Sequence, residues 1–381
     1  MLSLAGVVVS CVFVFWILAG YPLLLGALAR RRGRPVRRGP YLPRVSIIVA
    51  VRDGEACIRA KLDSILALEY PPELREIIVA SDGSVDATNA IAGTFENHGV
   101  SLLALPKAGK AVAINAAIAH ASGDVLVFTD VRQRLAAGSL AYLLENLADP
   151  DVGAASGHLT ILSPSNQEEA SIGLYWRYEV WIRSRLSHLD SIFGATGAYY
   201  ALRRELAVTI PPDSVLDDMH LPLAAFFRGY RLVVDSRAVM YDTPTGLASE
   251  FHRKVRTLGG NYQVLCAYPA LLGPRNRMWF HFMSYKFGRL LLPFALLLIL
   301  VCSIGLPSPF ASWMLVAQGA FYAAALMDVL VPDRSALRVV TAPIRTFVTL
   351  MAATLCALSI FLVPRDQIWL PEPHHDVFTT G

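Results

Sequence analysis

Residues 4–28 contain no charged side chain. At about 1.5 Å rise per residue, a helix over that run crosses a hydrocarbon core of about 30 Å. A secretory signal carries its positive charges ahead of a shorter apolar core. Here Arg30, Arg31, Arg32, Arg34, Arg37 and Arg38 follow the run instead. The segment therefore reads as a retained membrane anchor. Three further apolar runs, 287–306, 310–331 and 340–363, lie near the other end, and Pro307 and Pro309 punctuate the short link between the first two.

Positive charge orients this set. The arginine block, then Arg275, Arg277, Lys286 and Arg289, then Arg334 and Arg338 are all expected on the cytoplasmic side. One topology satisfies all three groups, with both termini outside and residues 40–270 inside. A re-entrant or interfacial last helix, which would leave the tail inside, is the alternative. The whole chain has 381 residues, 54% of them hydrophobic and 17% charged, a mixture that suits a soluble domain joined to membrane helices. The five cysteines show no CxxC spacing, so neither a disulfide framework nor a zinc site is expected. Basic residues gather at membrane edges without a stacking platform, which argues against nucleic acid as a partner.

From residue 45 the pattern changes. VSIIVAV (45–51), EIIVAS (76–81), SLLAL (101–105) and DVLVFT (124–129) have the length and β-branched content of buried parallel strands. Between them, CIRAKLDSILAL places Ile58, Leu62, Ile65 and Leu66 on one helical face, and Ile114 and Ile118 lie one turn apart. This β-α-β alternation predicts an α/β fold with a parallel sheet covered by helices.

In such sheets ligands bind beyond the carboxyl ends of the strands. Acids follow three of them: Asp53, Asp82 and Asp130. Any one could simply cap the next helix, as Ser84 or Asp86 could in SDGSVDAT. Lys107 and Lys110 in PKAGK open a helix where ammonium groups and free N–H groups suit a diphosphate, although two solvated lysines would read the same way. Neither GxGxxG nor GxxxxGK[ST] occurs, so neither a dinucleotide fold nor a P-loop is indicated.

Taken together, these residues resemble membrane-embedded family 2 glycosyltransferases, the inverting enzymes that include cellulose and hyaluronan synthases and ceramide glucosyltransferase. The resemblance covers about residues 44–262. It implies a GT-A nucleotide-sugar domain with a mostly parallel mixed sheet, one transmembrane helix before it and about three after. IIVAVRDGEA is similar to the family's first strand and hNEE turn, which implies Val51, Asp53 and Glu55 at the nucleotide, with Asp53 replacing the usual Asn and Gly54 the first Glu. ASDGSVDAT implies that Asp82 reads the uracil or ribose. KAGKAVAINAAI implies Lys107 and Lys110 near the diphosphate, and FTD implies Asp130 as metal ligand for Mg²⁺ or Mn²⁺.

GATGAYYALRRE resembles the acceptor segment, with Gly194, Thr196 and Gly197, and DDMHL resembles the ED element, with Asp218 as catalytic base and Asp217 beside it. RKVRTLGG lies over QRxRWxxG, placing Arg253 and Arg256 on the donor side and Thr257 on the acceptor side. Two positions depart from the pattern. Arg132 stands where a second metal-motif Asp is usual, and Thr257 replaces the Trp. The first questions metal affinity and the second questions polymer synthesis.

The implied domains are an anchor (1–29), a basic linker (30–43), the glycosyltransferase domain (44–265), an interfacial segment (266–286), the C-terminal helices (287–363) and a tail (364–381). The implied reaction moves a sugar from a UDP-sugar to a glycan or lipid acceptor at the cytoplasmic face of the cell membrane, among membrane lipids. Asp218 is expected to deprotonate the acceptor, although Asp217 and Asp218 equally suit the start of the helix HLPLAAFF. One carboxylate, Asp130, suffices for a metal whose other ligands are phosphate and water. Arg132 is then expected either to neutralise phosphate or to point away. The aromatic, arginine-rich stretch 174–186 suits either a helix in the membrane interface or one packed on the sheet. A single-transfer lipid glycosyltransferase and a catalytically weak assembly subunit stay open as alternatives.

Overall fold

The structure, a computed structural model, describes residues 1–161, 167–242, 247–332 and 335–362. Arg334, Val363 and the 364–381 tail lie outside the described residues. The chain divides into two compact units.

The first unit comprises the described residues of Met1–Arg31, Ser163–Ile182 and Pro244–Pro371. Helix α1 (Leu2–Phe15) runs through a π-helical turn, Trp16–Gly20, into α2 (Tyr21–Arg32). Among the described residues four helical stretches are long and apolar enough to cross a membrane: Leu2–Arg32, Trp279–Ile304, Phe310–Leu330 and Arg338–Phe361. The second begins at Trp279 rather than at residue 287, because the aromatic segment before it is itself helical and continues through a second π turn, Met283–Phe287. The two π turns meet: Trp16 Nε1 donates to Ser284 Oγ at 3.2 Å, and the Tyr21 hydroxyl lies 3.1 Å from His281 Nδ1.

The second unit comprises the described residues of Arg32–Leu162 and Arg183–Thr243 and holds an eight-stranded mixed sheet. Its strands are β1 (Val45–Val51), β2 (Arg75–Asp82), β3 (Val100–Leu105), β4 (Val125–Asp130), β5 (Arg134–Leu135), β6 (Val152–Ile161), β7 (Tyr199–Arg203) and β8 (Arg231–Asp242). Their order is β3-β2-β1-β4-β7-β6-β8-β5. The four expected strands form the parallel half, and β7 enters antiparallel between β4 and β6. Helices α3 (Glu55–Leu66), α4 (Thr88–Gly93), α5 (Lys110–His120) and α6 (Ser139–Glu145) link or cover these strands. On one face of the sheet Ile47, Val49, Ile77, Val79, Val125 and Val127 pack with Ile58 and Leu62 of α3 and Leu140 and Leu143 of α6.

Since β1 lies between β2 and β4, its neighbours are reached by crossovers in opposite directions. The carboxyl end of β1 is thus a topological switch point, where open α/β sheets generally bind their ligands.

Part of the arginine block is spent on this unit. Arg34 pairs with Asp151 at 2.6 Å, Arg37 with Asp149 at 2.8 Å and Arg38 with Asp235 at 3.3 Å. The fully buried Arg231 guanidinium donates to the carbonyls of Arg34, Ser187 and Asp190. All six arginines are exposed, and no ion pair is seen for Arg30, Arg31 and Arg32 among the described residues.

The stretch read as either interfacial or sheet-packed is one helix, α7 (Gln167–Leu189), whose C-terminal half packs on the sheet. In the first unit, Glu179 pairs with Arg289 and accepts from the Tyr285 hydroxyl. In the second, Arg183 and Ser187 bond to Ser156 of β6 and Val234 of β8.

Candidate active site

Three loops converge beyond β1 and β2. Asp53 adopts a left-handed backbone, φ 49°, a conformation Asp and Asn tolerate better than other side chains and that Asn fills in the resembled motif. Its N–H donates to Ser84 Oγ at 3.0 Å and its carboxylate accepts the Val85 N–H at 2.9 Å. Glu55 accepts the Ala87 N–H at 2.9 Å, and Asp86 accepts the N–H groups of Glu55 and Thr88. Asp53 and Glu55 thus lace the turn after β1 to the SDGSVDAT loop. The Val51 side chain lies in the hydrophobic core, leaving only its backbone for a ligand.

Asp82 is 5% exposed, and its two oxygens accept the N–H groups of Ala108 and Gly109 at 2.7–3.1 Å. Its carboxylate therefore holds the PKAGK loop in place. Gly83 permits the approach: its φ is +64°, and a Cβ there would lie 2.6 Å from the Lys107 backbone nitrogen. Lys107 itself is exposed. α5 then begins at Lys110 with no side-chain cap, so its first-turn N–H groups are not spent on one.

Lys110 joins the second cluster. Its Nζ lies 2.9 Å from Asp130 Oδ1 at the end of β4 and 3.2 Å from Asp217 Oδ1 at the start of α8 (Asp217–Phe227). Burial opposes the ammonium's charge. Asp130 and Asp217, with a smaller contribution from Asp218, outweigh that and hold the pKa well above the usual lysine value.

The acids of α8 do not cap their own helix. Leu216 occupies the N-cap with no side-chain bond, and Asp218 Oδ2 instead accepts the Gly197 N–H at 3.0 Å. The GATGA loop wraps this residue. Ala195 N–H donates to the Asp218 carbonyl at 2.8 Å, Gly194 abuts Met219, and Thr196 N–H donates to Ser156 Oγ at 2.9 Å.

Of the sequence-predicted residues, Asp130, Asp217, Asp218 and Lys110 therefore meet, with Gly197 holding Asp218. Asp82 reaches this group only through the loop that carries Lys110. Arg132 bonds outside this group: its guanidinium donates to the buried Asp242 at 2.8 Å, where Gln133 Nε2 also bonds. Arg253, Arg256 and Thr257 lie on α9 (Leu247–Ala267), in the first unit. There Arg253 bonds Glu250 at 2.9 Å and stacks over Trp176, while the Thr257 hydroxyl donates to the Arg253 carbonyl in its own helix.

Two residues at the cluster carried no sequence signal. Tyr200 of β7 is fully buried and stacks on Phe128 with ring centroids 4.7 Å apart. Burial, then the charges of Asp217, Asp218 and Asp130, push its hydroxyl well above the ordinary tyrosine value. Lys61 of α3 is also buried, donating to Thr129 Oγ1 at 2.6 Å and to the Gln133 carbonyl at 2.7 Å. It reads in sequence as an ordinary helix lysine.

No group of three or more His, Cys, Asp or Glu side chains among the described residues forms a metal site by itself. The acid cluster nonetheless fits a divalent ion shared with a diphosphate. Its donors are hard carboxylate oxygens, three acids face one ammonium so that negative charge remains, and Asp130 is 38% exposed.

A GT-A-like mixed sheet with strand-end acids, together with four helices of membrane-spanning length among the described residues, is the architecture expected of a glycosyltransferase with membrane helices. The sequence matches the family model "Glycosyl transferase family 2" over residues 46–208 and "Glycosyl transferase family group 2" over residues 128–328, more than half of the chain. The chain belongs to this family of glycosyltransferases.

Among its relatives is an N-acetylglucosaminyltransferase of Rhizobium meliloti (strain 1021), 26% identical, with the match covering 68% of this chain and 65% of the relative. Another is the poly-beta-1,6-N-acetyl-D-glucosamine synthase of Staphylococcus aureus (strain COL), 26% identical over 58% of this chain and 55% of the relative. The chain thus spans between about half and two thirds of the length of these curated relatives. The solved mannosyltransferase PcManGT of Pyrobaculum calidifontis, in complex with GDP-Man and Mn²⁺, aligns with a TM-score of 0.71 and 25% identity, covering 95% of this chain and 99% of that one.

Proposed function

We propose that this glycosyltransferase moves a sugar from a UDP-sugar to a glycan or lipid acceptor, with inversion at the anomeric carbon, at the cytoplasmic face of the cell membrane. The observation that carries the reading is the cluster of Asp130, Asp217 and Asp218 around Lys110, with Gly197 fixing Asp218. The two relatives that act with N-acetylglucosamine make UDP-N-acetylglucosamine the first donor to test. A GDP-mannose donor is the second reading, favoured by the full-length likeness to the Pyrobaculum enzyme.

Asp218 accepts the proton of the acceptor hydroxyl, and the Gly197 N–H keeps its carboxylate turned toward the acceptor. Base and leaving group then lie on opposite faces of the sugar, so a direct displacement inverts the configuration. General bases of this kind contribute about 10²–10⁴ in rate. Asp130 is the proposed ligand of Mg²⁺ or Mn²⁺, which when bound would neutralise charge on the departing diphosphate. Lys107, Lys110 and the uncapped N–H groups of α5 supply the protein's own positive potential there. Asp53, Glu55 and the Val51 backbone shape the nucleotide side, and Asp82 acts by holding the lysine loop. Arg253, Arg256 and Thr257 are proposed to act from α9. Arg30, Arg31 and Arg32 are proposed to face anionic headgroups on the cytoplasmic side.

A panel of UDP- and GDP-sugars offered to the full-length protein in detergent, with Mn²⁺ or Mg²⁺, tests the reading. Nucleotide release is expected with at least one donor and is expected to fall about 10²-fold or more in Asp218→Asn. Release that survives Asp218→Asn unchanged would overturn the assignment of the base.

A further inference from the structure

The ammonium of Lys110 touches carboxylates from two separate elements, one of which is the proposed cation ligand. In many metal-dependent sites a carboxylate waits for its ion beside water. Here Asp130 already has a cation 2.9 Å away, and a divalent ion at Asp130 would meet that like charge at close range. Arg132, the other cation nearby in sequence, is held by Asp242. Lys110 differs from a fixed guanidinium: it is a point charge on a flexible four-carbon stem, able to change partners without moving the backbone.

We propose that Lys110 is a built-in counter-cation for the acid cluster. It closes on Asp130 and Asp217 in the donor-free protein, lowers the affinity of Asp130 for a divalent cation, and yields when a nucleotide diphosphate offers its ammonium another anion. The inference rests on the donor-site reading above. Nucleotide and divalent cation then strengthen each other's binding by the same factor, because the coupling between two sites is reciprocal. The free protein is also spared three uncompensated neighbouring carboxylates.

The test measures Mn²⁺ binding to the full-length protein in detergent by electron paramagnetic resonance, with and without UDP and GDP. In the wild type, nucleotide is expected to tighten Mn²⁺ binding about tenfold or more. Lys110→Met keeps the stem and removes the charge. It is expected to bind Mn²⁺ alone about tenfold more tightly than wild type, with nucleotide adding less than about threefold. Lys110→Arg keeps the charge and should keep the weak nucleotide-free affinity, and Lys110→Gln gives the same readout as the Met variant if that variant does not fold.

Lys107→Met, an exposed lysine in the same loop, is expected to leave nucleotide-free affinity within about twofold. If it tightens Mn²⁺ as much as Lys110→Met does, the effect is general charge removal and the proposal falls. Lys110→Met binding Mn²⁺ no better than wild type, while nucleotide still tightens the wild type, also overturns the inference and leaves the donor site standing. A wild type that binds no Mn²⁺ even with nucleotide overturns both.

Discussion

The Gly197 N–H donates to Asp218 Oδ2 at 3.0 Å, and a Cβ added to Gly197 would lie 3.0 Å from that same oxygen. One residue therefore supplies the bond that orients the proposed base and the space the base occupies. A side chain at position 197 keeps the N–H but presses on the carboxylate it serves. Gly197→Ala is expected to lower turnover about tenfold or more, with a melting midpoint close to wild type, since the neighbour that must give is the end of one side chain. The check is nucleotide release measured beside a thermal melt. Unchanged turnover would mean that Asp218 has no fixed orientation to lose.

Arg132 occupies the metal-motif position but spends its guanidinium on Asp242, which is 4% exposed. Removing a partner from a buried carboxylate leaves that charge poorly compensated. Arg132→Ala is expected to destabilise the protein by about 1–3 kcal/mol, discounted from a fully buried pair because Arg132 is itself 26% exposed. The donor KM is expected to stay within about twofold. A large rise in donor KM at unchanged stability would restore the phosphate role.

How much of this was legible beforehand depended on the distance over which the information acts. The strands β1 to β4 announce themselves because each is a short apolar run, a local property, although only β1, β2 and β4 are largely buried and the edge strand β3 is half-exposed. β6 carries Gly153, Ser156, Gly157 and His158, and it becomes a strand only because β7 and β8 supply its ladder from far along the chain. The four residues that meet at the site were readable because their motifs are local and belong to a recognisable family. The direction Arg132 takes was not, since its partner lies 110 residues away. Nor was it readable that Asp82 would spend both its oxygens on the loop ahead of Lys110.

Lys61 gives the fold a pH signature. Burial pushes its ammonium down to about 7, with the charge of Asp130 opposing that shift. The unfolded chain keeps an ordinary lysine, near 10.5. Between these values the unfolded state binds the extra proton, so stability is expected to rise with pH from about 7 toward about 10 and to be insensitive to this group below 7. Lys61→Met removes the titration and should flatten that rise. Melting midpoints of both proteins across pH 6.5–9.5 provide the check, and an equal slope in the variant would assign the pH dependence elsewhere.

Tyr200 presents the opposite case, a polar group with nothing to lose. Its hydroxyl is buried with no hydrogen-bond partner among the described residues, and it stays protonated beside three acids. An unsatisfied buried hydroxyl costs roughly 1–3 kcal/mol, so Tyr200→Phe, which keeps the stacked ring on Phe128, is expected to melt no lower than wild type. A proton donor held at that position is available to an acceptor oxygen or to a water that a substrate brings, and turnover is therefore expected to fall about tenfold with donor KM little changed. Stability and rate thus move in different directions from one deleted atom. A lower melting midpoint with full turnover would instead mean that the hydroxyl is bonded within the fold and serves only to hold it.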